Sequence, residues 1–144
     1  MNRTMKHFLL LAAACAAFAV SGSAQCRTFT KKNCMTTMDG YVTNDNYNSA
    51  ILIPGDEAEL MLTFLGGRDY RVNVCAHPVL GKVKFDIFDT RGKLLFSSDH
   101  ASGKSYVDFK MATTQQLMVR VSVPASKSAI LHEGCLTVLV GSKP

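Results

Sequence analysis

The chain has 144 residues, a formal net charge of +5, 47% hydrophobic residues, five cysteines and no tryptophan. The length excludes a multidomain enzyme, including a dinucleotide-binding fold joined to a substrate domain. The basic excess is too small and too dispersed to predict a nucleic-acid-binding surface.

The N-terminus has the pattern of an export signal. Two basic residues precede an unbroken apolar run over residues 8–20, which is too short for a membrane-spanning helix of about 20 residues. Gly22 and Ala24 supply the small residues expected three residues and one residue before a cleavage site. We therefore predict a signal peptide over residues 1–24, cleaved after Ala24.

Cleavage there changes the composition of the mature chain. It leaves 120 residues with a net charge of +3, because two of the 16 basic residues lie in the signal. Lipidation at Cys26 is the alternative export route, but Gln25 stands where a lipoprotein signal needs a small residue. Four cysteines remain, and an even number in an exported protein predicts two disulfide bonds.

The mature chain begins with a polar lead-in segment and continues as alternating strands. Residues 25–50 lack a clear period, and residues 51–144 show about seven runs in which apolar and polar side chains alternate. The turn signals Gly66-Gly67 and Asp89-Thr90-Arg91-Gly92 lie between these runs. Because each run has one apolar face, we predict an all-β, antiparallel, jelly-roll-like sandwich of seven to nine strands over residues 51–144.

Three stretches carry a family resemblance: IPGDEAELMLTFLGGRDYRVNV, VKFDIFDTRGKLLF and TTQQLMVRVSVP. With the hairpin over residues 67–70 and the turn over residues 89–92, they resemble the pre-peptidase C-terminal-like domain of secreted bacterial proteins. The chain also looks like small exported bacterial β-sandwich proteins that have no assigned activity. The first resemblance implies a β-sandwich that accompanies a secreted protease or another secreted enzyme.

Strand parity suggests how the cysteines pair. Cys75 ends one strand and Cys135 begins another, both on the outer face, so antiparallel neighbours would bring them together. We predict a Cys75–Cys135 disulfide, with Cys26–Cys34 as the second bond.

A metal site is the competing interpretation. The zinc ligand types coincide at Cys75, His77, His132 and Cys135. Their spacings do not match the common zinc motifs, and oxidation after export favours disulfides. The run over residues 44–48 resembles half of a calcium loop but lacks its glycine and final glutamate. We therefore predict no metal and no other cofactor.

Catalytic constellations are weak. The residue types of a hydrolytic triad occur at Asp99, His100, Ser102 and Ser105. Adjacent Asp and His on a turn point apart, so we interpret this segment as a solvated hairpin tip. Asp86 lies on a solvent face and Asp89 in a turn, which does not suit paired catalytic carboxylates. We predict no catalytic site.

Several apolar residues have outward parity, and we expect residues 25–50 to cover them: Met61, Leu65, Phe88, Leu95, Met118 and Leu139. The function predicted is a non-catalytic binding or interaction role in an exported protein, which would be periplasmic, cell-surface or secreted. The partner would be a protein or a glycan, although only Tyr41, Tyr47 and Tyr106 could form an aromatic platform. The alternative is a zinc- or calcium-dependent module, or an accessory domain of a secreted hydrolase system.

Overall fold

A computed structural model describes residues 22–45, 47–99 and 104–143. The helices are α1 (Gly22–Asn33) and two 3₁₀ helices, Met35–Met38 and Pro78–Leu80. The strands are β1 (Val42–Thr43), β2 (Asn48–Leu52), β3 (Glu57–Phe64), β4 (Arg68–Ala76), β5 (Lys84–Asp89), β6 (Leu94–Ser97), β7 (Tyr106–Met111), β8 (Gln115–Ser122) and β9 (Gly134–Lys143). Of the predicted signal peptide over residues 1–24, residues 1–21 lie outside the described residues and residues 22–24 lie in α1, so this part of the domain assignment stays a prediction.

The strands form two antiparallel sheets. In the first sheet β9 pairs with β1 and β2 on one side and with β4 on the other, and β4 pairs with β7. The second sheet has the order β3-β8-β5-β6. Strands β2 to β9 therefore run in the orders 2-9-4-7 and 3-8-5-6, which is the eight-stranded double-sheet arrangement of a jelly roll. The predicted all-β sandwich is confirmed.

The core lies between the inward faces that alternation predicts. On β4 the inward residues Tyr70, Val72 and Val74 are buried, and on β8 Leu117 and Val119 are at most 3% exposed. Phe64 packs edge-on against the ring of Tyr70, with ring centroids 5.0 Å apart. Burial of these side chains provides the main stabilisation of the sandwich, since each contributes about 1.5–3 kcal/mol when fully removed from water.

The first part of the lead-in segment, up to residue 41, forms a third layer on the outer face of the first sheet. Its remaining part supplies β1 and the start of β2, so the sheet begins before the predicted boundary at residue 51. Cys26 and Thr30 on helix α1, and Cys34 directly after it, are buried at four-residue intervals on one face. The sequence shows no clear period in residues 25–50 and left their conformation open. Thr30 Oγ1 lies 2.6 Å from Thr137 Oγ1 on β9, so a polar contact joins the helix to the sheet.

This layer covers only part of the apolar surface assigned to it. Leu139 is 2% exposed and packs with Cys34 and Met38 beneath the lead-in segment. The expectation was wrong for Met61, Leu65 and Leu95, which remain exposed. The reason is topological: Leu139 lies on the first sheet, whereas Met61 and Leu95 lie on the uncovered face of the second sheet.

The disulfide pairing differs from the predicted one. The bonds are Cys26–Cys135 and Cys34–Cys75, with Cα atoms 5.3 and 5.8 Å apart. Cys75 is opposite Thr137 in the β4–β9 register, so Cys135 is only its diagonal neighbour. Diagonal Cα atoms lie about 7–8 Å apart, too far for a disulfide, and eight residues of helix separate Cys26 from Cys34 by about 12 Å. The pairing Cys75–Cys135 with Cys26–Cys34 was therefore wrong.

Candidate functional site

The two ends of the sandwich carry different kinds of connection. At one end the connections over residues 65–67, 90–93 and 112–114 are short; the second closes the β5–β6 hairpin, and the other two cross between the sheets. At the opposite end lie the turn over residues 53–56 and the longer connections between β4 and β5, β6 and β7, and β8 and β9. We call this second end the loop end. Connecting loops on a rigid scaffold are where binding residues concentrate, so the loop end is the candidate site.

The longest of these connections, the β8–β9 loop over residues 123–133, is braced internally. Ser128 donates its backbone N–H to Ser126 Oγ over 3.1 Å, and Ile130 donates its N–H to Ser128 Oγ over 3.3 Å. Two successive serine turns of this kind hold the backbone without a helix or strand. The loop is therefore preorganised up to Ile130.

Both ends of the β8–β9 loop are anchored to the scaffold. Val123 exchanges backbone hydrogen bonds with the β2–β3 turn, accepting from Gly55 and donating to Asp56. At the other end Cys135 is bonded to Cys26, and its carbonyl accepts from the N–H of His77. A loop held at both ends loses less conformational entropy on binding than a free one.

The loop end exposes aliphatic side chains. Ile130 is 68% exposed and Leu131 is 46% exposed, and both lie on the β8–β9 loop. Val79 and Ile53, on the neighbouring connections, are exposed as well. Val79 packs against the backbone of Gly134, which follows the β8–β9 loop. The approach is so close that a Cβ atom added to Gly134 would lie only 2.8 Å from Cγ1 of Val79. Adjacent exposed aliphatic residues on loops mark surfaces that bind another molecule.

The loop end carries charged side chains of both signs. Lys82, Lys104 and Lys127 are exposed there, and so are Asp99 and Glu133. Lys84 pairs with Asp99 at 3.0 Å, and the hydrogen bond to that carboxylate raises the pKa of Lys84 above its ordinary value. The loop end therefore presents exposed aliphatic side chains among charges of both signs.

The predicted alternative zinc set is not available in the structure. Cys75 and Cys135 are bonded to Cys34 and Cys26, so neither sulfur is a thiolate that could bind a metal. The Nδ1 atom of His77 accepts a hydrogen bond from Val79 N–H and caps the short helix Pro78–Leu80. Across residues 22–45, 47–99 and 104–143 no three metal-ligating side chains form a cluster. The zinc alternative was wrong for these four residues.

The calcium-like run and the triad-like group are only partly described. Asn46, His100 and Ser102 lie outside the described residues. Asp99 is engaged with Lys84, and Ser105 is exposed and accepts a backbone hydrogen bond from Val74. Nothing in the described part brings these residues into a catalytic arrangement.

The acidic pair has structural roles. Asp89 Oδ1 accepts the backbone N–H groups of Arg91 and Lys93, each over 2.9 Å. These hydrogen bonds, with that of Lys93 the largest cause, lower the pKa of Asp89. Asp86 is nearly buried and lies 3.7 Å from the ammonium of Lys84. Neither carboxyl group faces the other across a cleft.

The tyrosines do not form a free aromatic platform. Tyr41 and Tyr106 enclose the guanidinium of Arg71, whose carbon lies 4.6 and 4.2 Å from the two ring centroids. Arg71 also binds both carboxylate oxygens of Asp108 at 2.7 Å and donates to the carbonyl of Thr37 at 2.8 Å. This arrangement attaches the lead-in layer to the sheet. The strand alternation correctly placed Arg71 on the outer face. Its partners could not be predicted, because they lie 30 or more residues away in the sequence.

Fold and site together define a jelly-roll sandwich with two disulfide bonds. At one end it presents a long loop that internal hydrogen bonds hold in place. No protein-family model matches the chain, and no curated protein matches it in sequence. Among solved structures it is similar to PliG of Aeromonas hydrophila, described as a periplasmic inhibitor of g-type lysozyme. The TM-score is 0.52 at 10% identity, over 72% of this chain and 89% of that chain. This similarity shows the fold, and the resemblance to pre-peptidase C-terminal-like domains stays a prediction.

Proposed function

We propose that the chain is an exported, non-catalytic protein that binds another protein through its loop end. The observation that carries this proposal is the exposed pair Ile130 and Leu131, held by serine turns on a loop anchored by the Cys26–Cys135 bond. A braced loop with an apolar tip is suited to insertion into a pocket of a partner protein.

Export is supported by two independent features. The sequence begins with the pattern of a signal peptide, and all four cysteines outside it are paired in disulfides, which persist in oxidising compartments. Among the described residues no helix has the length and apolarity to cross a membrane. We propose a periplasmic, cell-surface or secreted location.

A protein partner is favoured over a glycan. Glycan sites use exposed aromatic rings, and here two of the three candidate tyrosines are occupied by Arg71. The exposed groups of the loop end are aliphatic and charged instead, and both Lys127 and Glu133 lie on the same loop as Ile130. A partner with an apolar pocket and nearby carboxylates would fit this surface.

Glycan-hydrolysing enzymes meet that description, because their clefts hold a pair of Asp or Glu side chains. The similar structure is that of a lysozyme inhibitor, so a g-type lysozyme is the partner to test first. We propose inhibition by insertion of the β8–β9 loop into the enzyme's cleft, with lysine side chains near the enzyme's carboxylates.

The test combines binding and inhibition. Isothermal titration calorimetry with purified g-type lysozyme, and lysis of cell walls by that enzyme, are measured for the wild type, I130D and K127E. We expect I130D to weaken binding at least about tenfold, because it would bury an unpaired charge. K127E should weaken binding most at low salt, because it reverses a charge that attracts the partner's carboxylates.

Val42 provides the matched control. It is 72% exposed, close to the value for Ile130, but it lies on β1 near the opposite end of the sandwich. V42D should bind and inhibit like the wild type. Absence of wild-type binding would exclude g-type lysozyme as the partner, and equal effects of V42D and I130D would exclude the loop end as the contact.

A further inference from the structure

Strand β3 is an unprotected sheet edge. It pairs with β8 over eight consecutive residues, Glu57–Phe64, without a bulge, and no strand in the described part of the chain pairs with its other side. It contains neither proline nor lysine, the residues that usually blunt an edge. The far edge of the same sheet is blunted, because β6 has four residues and its pairing with β5 shifts register after Ile87.

The sandwich is also open beside β3. Leu60 and Leu62 point inward but remain only half-buried, whereas their neighbours Leu117 and Val119 on β8 are buried. A groove of about 240 Å³ runs past Leu60, and another of about 370 Å³ runs past Leu62. The core is therefore incompletely covered along the strand that has unpaired backbone groups.

We propose that two copies of this chain pair antiparallel through β3, so that their second sheets join into one eight-stranded sheet. The charges on the strand select the register. Glu57 and Glu59 both lie in the first half of β3, so offsets that set glutamate opposite glutamate are disfavoured. Registers centred on Leu60 or on Met61 avoid every such pair while keeping most of the strand paired.

The outer face favours the register centred on Met61. Met61 is opposite Met118, Met118 is opposite Phe88, and Phe88 is opposite Leu94, so an apolar row crosses all four strands. Centring on Met61 places it opposite Met61 of the second copy and continues the row through both sheets. Centring on Leu60 would instead place Glu59 opposite that methionine.

The inner face is compatible with the same register. Leu60 would be opposite Leu62 of the second copy, and Ala58 opposite Phe64, so leucines from each copy would cover the groove of the other. Glu59 would be opposite Thr63 and would keep its own ion pair, in which Arg120 lies 2.7 Å away. Such a contact uses the same patch on both copies, as a twofold dimer requires.

The proposed dimer leaves the candidate binding site free. Because β3 pairs with an antiparallel copy of itself, the loop ends of the two copies point in opposite directions. Each copy could then engage its own partner. This inference does not depend on the identity of that partner.

The experiment measures self-association of the mature, oxidised protein by sedimentation equilibrium. M61K and M61E each place like charges opposite one another at the centre of the contact. We expect each variant alone to raise the dimer dissociation constant at least about tenfold. An equimolar mixture of the two should restore a dimer of one M61K chain and one M61E chain, which also shows that both variants are folded.

Leu95 provides the control, since it is 50% exposed against 52% for Met61 and lies on β6 of the same sheet. L95K should dimerise like the wild type. A wild-type chain that stays monomeric at high micromolar concentration would overturn the proposal, and so would a dimer that M61K does not weaken. A dimer that M61K strengthens would assign the register centred on Leu60 and overturn the one proposed.

Discussion

Removal of the Cys34–Cys75 disulfide tests whether the lead-in layer is part of the cooperative fold. The bond joins residues 41 positions apart, and the loop-entropy model converts this separation into about 4 kcal/mol of stability. The C34A/C75A variant loses this constraint and the contacts of two sulfur atoms, and alanine, unlike serine, leaves no unpaired hydroxyl in the buried site. We expect its free energy of unfolding to fall by about 4 kcal/mol.

The assay is urea denaturation of the oxidised wild type and of C34A/C75A, with the free energy extrapolated at a common slope. A loss below about 1 kcal/mol, with the slope unchanged, would refute the view that this bond ties the lead-in layer to the sandwich. Peptide mapping without reductant supplies a second check on the wild type. Recovery of Cys26–Cys34 and Cys75–Cys135 peptides would show that the pairing in the structure is wrong.

Three further outcomes are expected from the contacts of the lead-in layer. L139A should lower the free energy of unfolding in urea by about 2–5 kcal/mol, because Leu139 is buried beneath the lead-in layer. L95A, at an exposed position of the second sheet, should stay within about 0.5 kcal/mol of wild type. Equal losses would contradict the assignment of covered and uncovered faces. R71K should cost about 1–2 kcal/mol by thermal unfolding near neutral pH, since lysine keeps the charge but loses the bidentate and stacked contacts. The hydrogen bond to Arg71 lowers the pKa of Asp108 in the folded state. The contribution of this pair to stability should therefore be complete above about pH 4 and disappear as the pH falls through the lowered pKa. A stability difference between wild type and R71K that grows below pH 4 would contradict this. T137V should cost about 1–2 kcal/mol in urea because it removes the hydroxyl partner of buried Thr30, and a neutral effect would show that this contact is not needed.

The strands could be predicted because their signal is local. On β4, residues 70, 72 and 74 alternate with residues 69, 71 and 73, and one apolar face is enough to decide which side lies in the core. The burial of Asn73 on the other face depends on the tertiary structure. The turns were equally local: Gly67 and Gly92 adopt the positive φ that glycine tolerates, between strands whose ends the alternation had already located.

The helix α1 could not be predicted with the same ease. Its sequence GSAQCRTFTKKN has a weak helical preference, and its buried face carries Cys26, Thr30 and Cys34 where an aliphatic stripe is usual. Two disulfides and the Thr30–Thr137 contact hold it against the sheet. Most helical stability in proteins comes from such tertiary contacts, which a local pattern does not contain.

The candidate site, like the helix, depends on the tertiary structure more than on a local pattern. The exposure of Ile130 and Leu131 could not be predicted from the sequence, because an irregular segment lacks the periodicity that distinguishes buried from exposed positions. The segment PASKSAILHE did contain a usable signal, since a proline and two serines indicate an irregular connection, and two adjacent aliphatic residues are unusual in a solvated one.

Export pattern, fold class and number of cysteines follow from the sequence, because charge order, alternation and counting are properties of neighbouring residues. Cysteine pairing, the side of the sandwich that the lead-in segment covers, and the clustering of the long connections at one end were decided only by the tertiary structure. Each of these depends on strand order and register, which bring Cys26 to Cys135 and Cys34 to Cys75 across 109 and 41 positions. A register shift of two residues keeps the alternation of a strand intact but changes which side chains meet, and so the sequence pattern leaves the partners open.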